Sequence, residues 1–196
     1  MVDGPHDLEP RLVDDARALR ALAHPVRIAL IEYLTLHGPL TATEAAEVVG
    51  ESPSACSFHL RQLAKYGFVE ESGDGVGRRR PWRITQLGLR FDSDSSDPAV
   101  RRAGAELGGS LRERQIARYR TWLATRQSWP QEWRESSIDA EFGFWLTPAE
   151  LEALGAELME RLLALHRERL TDPSSRPAEA APVELLLFGY PVGSWS

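Results

Sequence analysis

A single cysteine, Cys56, among 196 residues rules out an internal disulfide framework. No run of 18 apolar residues occurs and no secretory leader is read, so no membrane partner is expected and a reducing cytoplasm is the expected compartment. Metal-site spacing is missing too, with no HxxH, HExxH or CxxC anywhere. There is no phosphate loop, nucleophile elbow or framed carboxylate pair, so the chain reads as a non-enzyme without a cofactor. Positive charge is also short overall: the formal net charge is −6, the wrong sign for a phosphate binder.

The deficit is uneven along the chain. Glu51 to Arg90 holds seven cations (Arg61, Lys65, Arg78, Arg79, Arg80, Arg83, Arg90) against four acids (Glu51, Glu70, Glu71, Asp74). Trp129 to Ser196 holds five arginines against twelve acids. Cationic charge is therefore concentrated in one stretch, and an acidic protein can still present a basic face there.

That stretch opens with a helix-turn-helix pattern. Thr41 or Thr43 can cap a short helix whose apolar face is Ala45, Ala46 and Val49, and Gly50 ends it. Ser52-Pro53-Ser54 then supplies an N-cap and a proline at the first helical position, where its missing N–H is not needed. The inward stripe of this second helix is Cys56, Leu60 and Leu63, so Ser54, Ala55, Ser57, Phe58, Arg61 and Lys65 point elsewhere. Short hydroxyls with Arg and Lys are the mixture a helix needs in the DNA major groove, where small residues allow close approach and cations reach bases and phosphates. Gly67 stops the helix. Phe68 to Glu71 and Pro81 to Thr85 read as two strands flanking a Gly-rich turn at 72–77, with Arg78, Arg79 and Arg80 at the tip or shoulder of this wing. Taken alone, the three arginines describe any solvated loop; beside the preceding helices they read as phosphate anchors.

These segments resemble the ArsR-like winged helix-turn-helix regulators. The matching pieces run from Leu19 to Ile31 (LRALAHPVRIALI), from Ser52 to Leu63 (SPSACSFHLRQL) and from Tyr66 to Val69 (YGFV), within a resemblance spanning about 14–91. It implies that Ser54, Ala55, Ser57, Phe58 and Arg61 face the groove, with His59 nearby. It further implies homodimers on inverted repeats of double-stranded DNA, assembled through the helix after the wing and the first helix. The chain departs from the metal-sensing members of that family. Thr41 to Gly50 contains no Cys, and Val100 to Ser128 contains no His, Cys or Asp. Cys56 lies on the apolar stripe and is expected to pack as a small hydrophobe. Among the histidines, His24 before Pro25 marks a break between helices, His37 suits a helix C-terminus, and His59 either contacts phosphate or buttresses the helix. His6 falls in the tail, and His166 on a later amphipathic helix.

The expected class is α+β, mainly α: a winged helix-turn-helix domain, a long helix and a small C-terminal β-α-β unit. The boundaries read as a flexible tail at 1–13, the DNA-binding domain at 14–91, a linker at 92–98 and a C-terminal dimerisation and candidate effector region at 99–196. Two helices, at 14–23 and 25–36, precede the helix-turn-helix, and 85–91 is expected to add a helical turn or two. A helix from 97 to about 128 follows, weakened by Gly104, Gly108 and Gly109. Ser137 to Leu146 alternates as a strand, Thr147 and Glu150 form a capping box, Leu151, Leu154, Leu158, Leu162 and Leu165 line one helix face, and Val183 to Tyr190 reads as the second strand. Two strands and one helix enclose little, so the sheet is expected to pack on the long helix or on a partner subunit. Trp122, Trp129, Trp133, Phe142, Phe144 and Trp145 form an aromatic group that serves either as structural and dimer packing or as a pocket for an apolar small-molecule effector. The function expected is a transcriptional regulator, a repressor on a palindromic operator; the alternative is a winged helix that docks on protein or RNA, for which the apolar Phe58 is the one pointer.

Overall fold

The computed structural model describes residues 10–73, 80–86, 88–92, 94–171 and 175–193. It is mainly helical with a few short strands, and it divides into two compact units, Met1–Arg114 and Gln115–Ser196.

In the first unit local chemistry sets each helix end. Asp15 caps α1 (Ala16–Leu22) by accepting from the Arg17 N–H at 2.8 Å. His24 Nδ1 accepts from the Val26 N–H at 3.3 Å and so caps α2 (Pro25–His37), with Pro25 at the first position. A reciprocal capping box of Thr41 and Glu44 opens α3 (Ala42–Val49), and Gly50 closes it in the left-handed conformation, φ 71°. Ser52 caps α4 (Pro53–Lys65) through the Ala55 N–H at 3.2 Å. Leu19, Leu30, Leu34, Cys56, Leu60, Leu63 and Leu107 are fully buried together, each leucine contributing about 1.5–3 kcal/mol of apolar transfer.

The wing base pairs β2 (Val69–Glu71) antiparallel with β3 (Trp82–Ile84), placing Glu70 opposite Arg83. Leu40 adds a bridge to Trp82 through two backbone bonds of 2.8 and 3.1 Å. Two expectations are corrected here. Residues 11–13, expected in a flexible tail, form strand β1 (Arg11–Val13), and 85–91, expected to turn as helix, contains strand β4 (Leu89–Phe91); the two pair in parallel, with Val13 opposite Phe91. Each is stabilised by a partner nearly eighty residues away, and Val13 is buried in the core as a result.

The third correction concerns the expected boundary at 92–98. Asp97 caps α5 (Pro98–Thr125), accepting from the Ala99 N–H at 2.7 Å. Val100, Ala103 and Leu107 on its first half are buried in the core of the first unit, so the division falls within the helix, after Arg114. Gly104 and Gly108, one turn apart, leave room for the Phe91 ring: a Cβ on either would lie 3.4–3.5 Å from it. These glycines receive a packed side chain, a gain that offsets part of their helix-propensity cost. Glu32 of α2 accepts from Arg114 Nε at 2.7 Å.

The second unit holds the later half of α5, a 3₁₀ turn (Arg126–Ser128), α6 (Gln131–Ser136) and α7 (Pro148–Thr171), the last opened by the expected Thr147–Glu150 capping box. The expected β-α-β unit is corrected as well. Residues 137–146 and 183–190 run outside regular secondary structure, and among the described residues neither joins a strand ladder. Alternation specifies which side chains share a face, but a ladder also requires an adjacent strand to take up the backbone groups. No described residue of this unit is buried. Among the described residues no helix is long and apolar enough to cross a membrane.

Candidate nucleic-acid interface

Helix α4 carries most of the candidate interface residues. Its stripe of Cys56, Leu60 and Leu63 is buried at 0% exposure, which turns the rest of the helix outward. Ser54, Phe58, Arg61 and Lys65 are exposed, and Ala55 and Ser57 half-buried. The Ser54 hydroxyl lies 3.0 Å from that of Ser52, at the end of the helix where backbone N–H groups favour anions. The Lys65 ammonium sits over the Tyr66 ring, 5.6 Å from its centroid.

An open cleft of about 580 Å³ adjoins this face, lined by Ser57 and Arg61 of α4, by Thr41, Thr43, Glu44 and Glu47 around α3, and by Glu71, Arg80 and Trp82 of the wing base. Sequence reasoning singled out Ser57, Arg61 and Arg80 of these; the α3 side of the cleft was concealed because Thr41 and Thr43 were read only as candidate caps. Arg80 reaches Glu71 at 3.4 Å, with its side chain 74% exposed, while Arg83 binds Glu70 at 2.8 Å. Arg78 and Arg79 lie outside the described residues.

His59 is placed differently from the other candidates. Its ring packs against His24, 4.6 Å between centroids, and meets Phe58 edge-on at 5.5 Å, while its Nδ1 is buried without a hydrogen-bond partner. It thus braces α4 against the start of α2. Burial, followed by the neighbouring His24 and Arg27 charges, lowers the His59 pKa; burial and Arg27 lower that of His24. Cys56 is enclosed, and burial pushes its thiol pKa up, keeping it protonated and unreactive.

A residue that sequence reasoning missed completes the support. Arg11 Nη1 donates to the carbonyl of Tyr66 at 2.8 Å and to that of Gly67 at 3.2 Å, and its guanidinium lies 5.5 Å from the Phe68 ring centroid. These are the carbonyls just past the end of α4, at the turn where Gly67 takes φ 72°. Nothing local to Arg11 signals this role.

The family HTH_20, described as a helix-turn-helix domain, matches residues 22–72. Residues 22–72, which hold α2 to β2, are thus similar to a helix-turn-helix domain. The chain is 43% identical over 63 residues to the HTH-type transcriptional regulator NmtR of Mycobacterium tuberculosis, covering 32% of this chain and 50% of that protein. It is 40% identical over 60 residues to the "Probable mercury resistance operon repressor" of Streptomyces lividans, covering 31% of this chain and 47% of that one. The chain thus spans about half the length of the curated relatives it matches.

The aromatic candidates lie in the second unit. Trp122 stacks on Tyr119 at 6.2 Å with the Arg126 guanidinium over it at 5.1 Å, and Trp133 is half-buried. Phe142 stacks on Phe144 at 6.0 Å, yet both rings are largely exposed, as is much of Trp129, and Trp145 is fully exposed. Trp129, Phe142, Phe144 and Trp145 are thus open to solvent, and Trp122 and Trp133 half-buried.

Proposed function

We propose that this chain is a DNA-binding transcriptional repressor that acts as a homodimer on a palindromic operator. The observation that carries the reading is that Ser57, Arg61 and Arg80 open onto one cleft from the recognition helix and the wing base. A phosphodiester strand entering beside that cleft meets cations from both elements, while Ser54, Ala55 and Phe58 approach base edges along the same helix. Arg80 leaves Glu71 to do so at little cost, because an exposed ion pair contributes at most about 1 kcal/mol. Arg78 and Arg79, adjacent in sequence, add phosphate contacts, and Lys65 extends the row. Two copies set the half-site spacing, and occupancy blocks transcription sterically. The names of the matched relatives, a transcriptional regulator and an operon repressor, support the same reading.

Selection of bound duplexes from random DNA, followed by titration of the enriched site across a salt series, tests it. A two-fold-symmetric site bound far above random DNA is the expected result; a pool that never enriches sinks the operator reading. In that case Phe58, 51% exposed on the recognition helix, favours a winged helix that docks on a protein surface.

A further inference from the structure

The second unit turns its apolar groups the wrong way for a chain that stands alone. In the segment 137–146, Asp139 accepts a hydrogen bond from the Tyr119 hydroxyl at 3.2 Å, so this carboxylate is turned to its own helix α5. With a period of two, Ile138, Phe142 and Phe144 fall on the opposite side, and they are 79%, 76% and 65% exposed. In the segment 183–190, Glu184 is bound by Arg118 of α5, while Val183, Leu185 and Leu187 are 69%, 51% and 51% exposed, and Phe188 and Tyr190, on the Glu184 side by the same alternation, 56% and 70%. A folded monomer normally buries the apolar side and hydrates the polar one.

We propose that these two segments are docking strands for a second copy of this chain, pairing with their counterparts in an intermolecular sheet whose apolar side is buried between protomers. The proposal deepens the homodimer of the reading above and rests on it for the identity of the partner, but it is carried by residues outside the DNA-binding domain.

Three observations select a second copy. Both segments run outside regular secondary structure and outside any ladder among the described residues, so their backbone donors and acceptors are open to an added strand. Neither 138–146 nor 183–190 contains proline or lysine, the residues that commonly block edge pairing, so an uncovered edge would recruit chains without limit. A two-fold contact closes on itself and removes that liability, and it requires only that one chain carry both sides of the interface. The area is also sufficient. At roughly 150–250 Å² for a whole aromatic residue and somewhat less for an aliphatic one, the exposed apolar groups of the two segments present on the order of 1,000 Å² per chain. A stable interface takes about 800 Å² from each partner.

Hydrogen exchange on the full-length protein, with its mass followed by sedimentation, tests the assignment. In the dimer, amides of 138–146 and 183–190 are expected to exchange at least about ten-fold more slowly than unstructured peptide. The double substitution Phe142→Asp and Leu187→Asp is expected to weaken dimerisation by roughly 100-fold or more and return those amides to unprotected rates. Amides of the buried stripe at Leu60 and Leu63 should stay protected in that variant, which separates a lost interface from a lost fold. A dimer whose two segments exchange freely overturns the docking strands and leaves the operator reading intact. A wild-type protein that stays monomeric overturns both. Protection that persists in a monomeric double variant shows the pairing to be within one chain and also overturns the proposal.

Discussion

Replacing Arg11 by alanine removes the tie between β1 and the end of α4. Two carbonyls, of Tyr66 and Gly67, lose their guanidinium donor, and the Phe68 ring loses the cation above it. A hydrogen bond to a charged group contributes about 1.5–3 kcal/mol. The 3.2 Å bond shares its nitrogen with the 2.8 Å one and adds less, and water can reach a half-buried site, so the lower end applies to the pair. An exposed cation–π contact adds about 0.5 kcal/mol, which brings the expected destabilisation to about 2 kcal/mol. Arg11→Lys keeps a charge able to reach one carbonyl and should recover about half of it, since an ammonium lacks the planar fork. Urea unfolding followed by circular dichroism reads the difference as a lower midpoint at constant slope. A loss below about 0.5 kcal/mol for the alanine variant would refute the view that this residue anchors the helix end.

Gly109 lies inside α5, where an added Cβ would meet nothing within 4 Å, so Gly109→Ala should stabilise the protein by about 0.5–1 kcal/mol and raise Tm by roughly 2 °C; calorimetry checks it, and a lower Tm would reveal an unseen contact. Both His24 and His59 have folded-state pKa values below the ordinary 6.5, so the unfolded chain binds more protons as pH falls past that value. Stability should therefore be complete at neutral pH and decline below pH 6.5 until the folded-state groups also protonate. His59→Gln should flatten that dependence in melts taken from about pH 7.5 to about pH 5, and an unchanged profile would remove the pair as its source. Arg80→Ala should weaken enriched and random DNA alike and reduce the slope of log K against log salt by about one; an altered site preference with an unchanged slope would place Arg80 on a base instead.

Features governed by neighbours in sequence were legible before the fold was known. Ser52-Pro53, Gly50 and the Thr147–Glu150 box each act within four residues, and the stripe of Cys56, Leu60 and Leu63 follows from helical period alone. The β1–β4 ladder was not legible, because Arg11–Val13 and Leu89–Phe91 are short and become strands only through each other. The same holds for Gly104 and Gly108, which weaken a helix considered alone and seat Phe91 in the folded unit. Alternation in 137–146 and 183–190 was read as two strands and overreached in supplying a ladder that no described strand completes. At the interface the outward row of α4 was readable. The inward turn of His59 onto His24 was not, since it depends on the packing of two helices.

That inward turn divides α4 between two kinds of constraint. Cys56, Leu60 and Leu63 are committed to the core, and His59 is held by His24. Ser54, Phe58, Arg61 and Lys65 are exposed and free of that commitment. Substitutions at these four positions can therefore drift through evolution, or be exchanged by design, without passing through an unfolded intermediate sequence. The helix is a fixed chassis with replaceable outer positions, and on the proposed DNA-binding function a new target preference is reachable by a few surface changes while the packing beneath stays as it is.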